Sequence, residues 1–145
     1  MRQSLATDRR FSRCERSRHG HSLAGMSTDS ERTTATAAVV DFEELRRGGS
    51  FVFIGAEHGG VPASFILDRS EPGQGPALHR HPYPELWIVE EGQAMFTAGD
   101  RTLAAGPGSV VVVPAGMAHR FVNTGTTPMR MVCVHTSARM ETEWL

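Results

Sequence analysis

The sequence has no lysine, and all fifteen of its basic residues are arginine. That pattern fits a GC-rich coding bias and needs no functional reading. Cysteine is scarce as well. Cys14 stands in an arginine- and serine-rich start and Cys133 in an apolar run far from it. This argues against a disulfide and suits a reducing cytoplasm, where the protein is expected. No apolar run approaches the ~20 residues that a membrane helix needs, so no membrane association is expected. The net charge of −1 gives no general attraction to nucleic acid. No glycine-rich phosphate loop precedes a helical pattern, which disfavours nucleotide binding. No serine–histidine–aspartate set stands out, and no helix-turn-helix segment is present.

Charge is unevenly spread. Residues 1–25 carry six arginines against Asp8 and Glu15, while the remainder carries nine arginines against fourteen acids. Residues 1–36 lack an apolar period and read as a disordered tail, with Met26 as an alternative start. Arg9-Arg10-Phe11 hints at a twin-arginine export signal, but no hydrophobic stretch follows it. Residues 37–145 read as one domain, and 39% hydrophobic content is enough for a core.

Val39 to Arg47 reads as a short helix, with Asp41 as N-cap, Glu44 completing the cap and Gly48 as the stop. From Ser50 the apolar period becomes two. Short strands follow, separated by Gly59-Gly60, Pro72-Gly73, Gly99-Asp100, Gly106-Pro107-Gly108 and Gly125. The run Val110 to Val113 reads as a strand buried on both faces. About ten such strands predict an all-β sandwich or barrel, and Trp144 and Leu145 are expected to pack on it or on a partner chain.

The chemistry concentrates between Gly73 and Asn123. His79 and His81 share a face if the chain there is extended. Glu85 opens the apolar run Leu86-Trp87-Ile88-Val89, and His119 opens His-Arg-Phe-Val-Asn after a proline–glycine turn. Taken alone, two histidines two apart are more often a polar surface face than a metal site. With Glu85 and His119 added, four side chains are available that could hold one ion.

These residues resemble the two motifs of the cupin superfamily. The first runs GQGPALHRHPYPELWIVEEG, from Gly73 through His79, His81 and Glu85 to Gly92. The second runs GSVVVVPAGMAHRFVN, from Gly108 through Pro114, Gly116 and His119 to Asn123. Every fixed position is filled, in order, with fifteen residues between the two. The resemblance implies a double-stranded β-helix, or jelly-roll, barrel. It also implies a metal site of His79, His81, Glu85 and His119 inside that barrel, and a homodimer. It implies no particular reaction.

Three imidazoles and one carboxylate suit one divalent transition metal: Fe, Mn, Ni, Co, Cu or Zn. All-oxygen ligation would instead have pointed to magnesium or calcium. Such a site is expected to act on a small anionic or enolisable molecule, with oxygenase- or isomerase-like chemistry; a non-catalytic cupin that binds a small molecule or metal is the alternative. Phe53, Phe65, Trp87, Phe96, Phe121 and Met131 are the candidates for the pocket wall, each equally readable as core. Tyr83 could reach the mouth. His135 could act as a base beside the metal ligands or be a hydrogen-bonded core histidine. Arg69 and Arg120 could bind an anion, although Arg80 and Arg120 each adjoin a ligand and should face away from it. No nucleic-acid partner is expected.

Overall fold

The computed structural model describes residues 36–145. The expected tail, residues 1–36, lies outside the described residues except for Thr36, as do Met26 and Cys14. Eleven strands and one short 3-10 turn, Gly55–Glu57, make up the described part. The first strands are β1 (Arg46–Arg47), β2 (Ser50–Phe53), β3 (Ser64–Ser70), β4 (His79–Arg80) and β5 (Glu85–Glu91). They are followed by β6 (Ala94–Ala98), β7 (Arg101–Ala105), β8 (Val110–Val113), β9 (His119–Asn123), β10 (Met129–His135) and β11 (Glu143–Trp144).

Two antiparallel sheets form, in the orders β1-β2-β3-β10-β5-β8 and β11-β4-β9-β6-β7. Their inward faces follow the alternation of each strand. On β5, Glu85, Trp87 and Val89 are buried, and on β10 Met129, Met131, Cys133 and His135. On β9 the buried residues are His119, Phe121 and Asn123. Register stacks these residues in layers. His135 pairs with Glu85, Cys133 with Trp87 and Met131 with Val89. In the other sheet, His119 pairs with His79 and Ala98, and Phe121 with Phe96. One end of the barrel interior is therefore polar. Below it lies an apolar core that includes Trp87, Val89, Phe96, Phe121, Met129 and Met131.

The expected helix over 39–47 is replaced by turns. Glu44, Leu45 and Arg46 donate to the carbonyls three residues back, and Asp41 accepts from the Glu43 amide through its side chain. Only Leu45 of this stretch is deeply buried. One anchor gives no apolar stripe to offset the cost of nucleating a helix. The chain instead turns Arg46 and Arg47 into a hairpin with β2, closed by Gly48-Gly49. The second correction concerns β8. Val111 and Val113 are buried, but Val110 and Val112 are 56% and 61% exposed. β8 is an edge strand, and its outward valines have no layer above them among the described residues.

The loop before β4 fixes where the histidines arrive. Gly73 donates to the Asn123 carbonyl, and Asn123 donates to the Gln74 carbonyl, so this loop runs along β9. A Cβ on Gly75 would collide with the backbone carbonyl of Phe121. Gly75→Ala should therefore lower stability by about 1–3 kcal/mol, the usual range for overpacking. Gly49→Ala meets open space at an ordinary φ and serves as the neutral control in the same thermal melts.

Candidate metal centre

Four side chains from both sheets converge at the polar end. His79 lies on β4, His81 directly after it, His119 on β9 and Glu85 on the facing β5. All four are at most 6% exposed, and their ligand atoms lie within 4.8 Å of one another. Donors at ~2.0–2.2 Å from one ion stand at most roughly 4.4 Å apart, so the set would draw in by a few tenths of an ångström at its widest to hold one ion.

The hydrogen bonds behind the histidines decide which ring nitrogen faces inward. His79 Nδ1 lies 2.8 Å from the Ala77 carbonyl, His81 Nδ1 2.6 Å from that of Glu141, and His119 Nδ1 2.6 Å from that of Met117. A carbonyl only accepts, so each Nδ1 carries a proton, and in its neutral form each ring turns the lone pair of Nε2 inward. His119 Nε2 lies 2.9 Å and His81 Nε2 3.3 Å from Glu85 Oε2. None of these three buried atoms has a hydrogen-bond partner. Acceptors this close repel one another unless a cation lies among them. A proton could relieve one such contact, whereas a divalent ion satisfies all four donors. The four residues therefore make a metal site by the chemistry of their donors.

Burial alone would raise the Glu85 carboxyl, but with no ion between them a proton on the facing nitrogens of His119 and His81 outweighs it and holds it at about 2. Its second oxygen, Oε1, accepts a 2.8 Å bond from Trp87 Nε1, which fixes the carboxylate plane. Burial lowers His79 below the usual imidazole range. Buried His135 is held down to about 4, so its ring is neutral at neutral pH.

A cavity of about 580 Å³ opens beside the cluster. Of the residues expected to wall the site, Trp87, Phe121 and His135 line it. Phe96 is fully buried in the core layer beneath, against Trp87 and Phe121, and Met131 lies in the same core. Phe53 and Phe65 stack on each other at 4.9 Å. They face the other side of the sheet, because Phe65 pairs with the outward Val134 while Ser64 pairs with His135. Tyr83 stacks on His81 at 5.3 Å and bonds through its hydroxyl to the Glu141 backbone. Arg69 borders the cavity, and Arg120 is exposed. Arg80 faces outward and holds Glu143 through two hydrogen bonds.

Sequence reasoning missed two parts of the wall. The inward face of β3 contributes Ile66, Asp68 and Ser70. The strict alternation of β3 could have shown which residues share a face, but not which face turns inward. The second part is the C-terminal segment, whose Trp144 and Leu145 remain 63% and 56% exposed instead of packing fully on the barrel. It forms β11 along β4, sets Trp144 5.1 Å from the His79 ring, and places Met140 and Thr142 on the cavity. Its Glu141 carbonyl is the partner of His81 Nδ1. Deleting residues 141–145 should therefore lower metal affinity by about 10–100-fold, as loss of a ligand's supporting hydrogen bond does. Glu143→Ala removes only an exposed ion pair and should leave affinity near that of the parent protein. Competition with a chromophoric chelator measures both.

Comparison with known proteins agrees with this architecture. The Cupin domain family matches residues 67–135. Over 63 residues the chain is 33% identical to mannose-1-phosphate guanylyltransferase 2 of Escherichia coli O157:H7, covering 43% of this chain and 13% of that protein. Among solved structures, Bacillus subtilis oxalate decarboxylase, a protein with Mn(II) centres, superposes with a TM-score of 0.63 at 23% identity. The overlap covers 70% of this chain and 29% of that one. A recombinant oxalate oxidase in complex with glycolate gives a TM-score of 0.59 at 22% identity, over 68% of this chain and 56% of that one. These two likenesses are of fold, and the chain spans well under two thirds of each of these relatives. With the family match, the shared barrel fold and four candidate ligands grouped together, residues 67–135 carry a Cupin domain.

Proposed function

We propose that this protein is a metal-dependent enzyme acting on a small anionic or enolisable molecule, with oxygenase- or isomerase-like chemistry. The observation that carries this reading is the set of inward, unpartnered donor atoms on His81, His119 and Glu85 beside a cavity of about 580 Å³. A bound divalent ion would supply Lewis-acid polarisation or redox exchange there. Three neutral imidazoles and one carboxylate leave such an ion a net positive charge, which favours an anionic oxygen as the further ligand. The protein's own share is positioning and enclosure. Trp87 fixes Glu85, and Trp87 and Phe121 give the cavity an apolar floor. Asp68, Ser70 and His135 offer polar contacts on its walls.

The test is elemental analysis of the purified protein beside His119→Ala. Near-stoichiometric transition metal, reduced at least tenfold in the variant, is the expected result. Azide added to cobalt-loaded protein should then shift the visible spectrum. No metal even after reloading would refute the metal reading. Metal without any azide response would leave a closed, non-catalytic binding site.

We further propose a homodimer in the cytoplasm. The outward face of the six-stranded sheet exposes Ile88, Val110 and Val112 side by side on β5 and its edge strand β8. A second copy would cover both the apolar face and the unpaired edge. The buried, unpaired thiol of Cys133 suits a reducing compartment. Sedimentation should show a dimer that Val112→Glu converts to a monomer that still unfolds in a cooperative thermal transition; a monomeric parent protein would refute it.

A further inference from the structure

His135 is the one inward histidine of the polar layer that is built differently from the ligands. Each ligand histidine has its Nδ1 fixed by a backbone carbonyl. Neither nitrogen of His135 has a hydrogen-bond partner, although the residue is only 3% exposed. Its Nε2 lies 3.5 Å from Glu85 Oε1, an oxygen already engaged by Trp87 at 2.8 Å. The ring is held in place by packing alone, edge-on to His81 at 4.7 Å and to Tyr83 at 5.8 Å. It lines the same cavity as the metal ligands.

Burying an imidazole with both nitrogens unpartnered costs free energy that a phenyl ring of similar size would not. A purely structural histidine at this position would be expected to bond to a neighbour, as the other three do. A metal ligand would be expected to have its tautomer set from behind. His135 meets neither description. Its free N–H and free lone pair match a partner that is a donor or an acceptor of its own, such as a hydroxyl or carboxyl oxygen.

We propose that His135 is the residue that contacts the small molecule in the cavity, by a hydrogen bond to one of its oxygens next to Glu85. This inference rests on the proposed function only in requiring that an oxygen-bearing ligand enters the cavity. The ring's unfixed tautomer then lets it donate to a carboxylate or accept from a hydroxyl. Arrival of that oxygen would satisfy the most deeply buried unpartnered ring outside the ligand set.

Glycolate, a small hydroxy acid, is the probe, titrated into cobalt-loaded protein and followed by visible absorption. His135→Phe should retain its metal and weaken glycolate binding by about tenfold or more, the usual loss of a hydrogen bond to a charged group. His135→Gln keeps a donor and should recover much of that loss. His135→Phe should also melt no lower than the parent protein, because a buried unpartnered ring is replaced by an apolar one. Unchanged glycolate affinity in His135→Phe would overturn the inference and leave the metal-site reading intact. Loss of metal in both variants would also overturn it, by making His135 part of the ion's support. Should glycolate leave the parent protein's spectrum unchanged, the open-site reading falls and the melting comparison decides alone: a clear drop in His135→Phe overturns the inference, and a rise supports it.

Discussion

Three backbone carbonyls determine what this barrel can do. Those of Ala77, Glu141 and Met117 each take the Nδ1 proton of one histidine. Without them, a neutral imidazole could present either nitrogen, and the cluster would have no preferred charge state. With them, the inward nitrogens carry lone pairs that face a carboxylate at 2.9 and 3.3 Å. The cluster is therefore electrostatically frustrated until a cation joins it. The fold supplies that frustration from both sheets at once, because Glu85 comes from β5 and the histidines from β4 and β9 with the turn between.

The three supports differ in how they are made. Ala77 and Met117 each stand two residues before the histidine they fix, so those contacts form as soon as the local chain adopts its extended path. Glu141 is sixty residues away from His81. Its position depends on β11 pairing with β4 and on the Tyr83 hydroxyl, which bridges to the Glu141 backbone. Closure of the last strand thus completes a site whose ligands were all placed earlier in the chain. It also forms one wall of the cavity, through Met140 and Thr142. A segment without an apolar period can matter this much because its backbone, and not its side chains, makes the decisive bond.

The ligand set and the barrel were legible in the sequence because they depend on residue types at fixed spacing, and on glycines and prolines that mark strand ends. Glu85 beside Trp87 followed from alternation alone, and the 2.8 Å bond between them bears it out. What was not legible depended on register or on distant backbone. Phe53 and Phe65 alternate as an inner face would, yet pairing with β10 turns them outward. Val110 to Val113 reads as fully buried because periodicity carries no sign for an outward apolar face. The helix over 39–47 had a good cap but only Leu45 to bury, and local capping cannot outweigh the missing tertiary face.

The barrel interior is divided between two opposed requirements. At one end, Trp87, Phe96, Phe121, Val89, Met129 and Met131 pack in paired layers that favour folding. At the other, unpartnered atoms on His81, Glu85, His119 and His135 oppose it, each at a cost of about 1–3 kcal/mol. For a domain of ordinary marginal stability that is a large fraction of what the apolar layers leave over. Selection for stability alone would replace the polar layer by aliphatic side chains, as large as the space allows. Keeping four such residues together, two of them with their tautomers fixed from behind, fits a layer whose occupant restores what its burial costs.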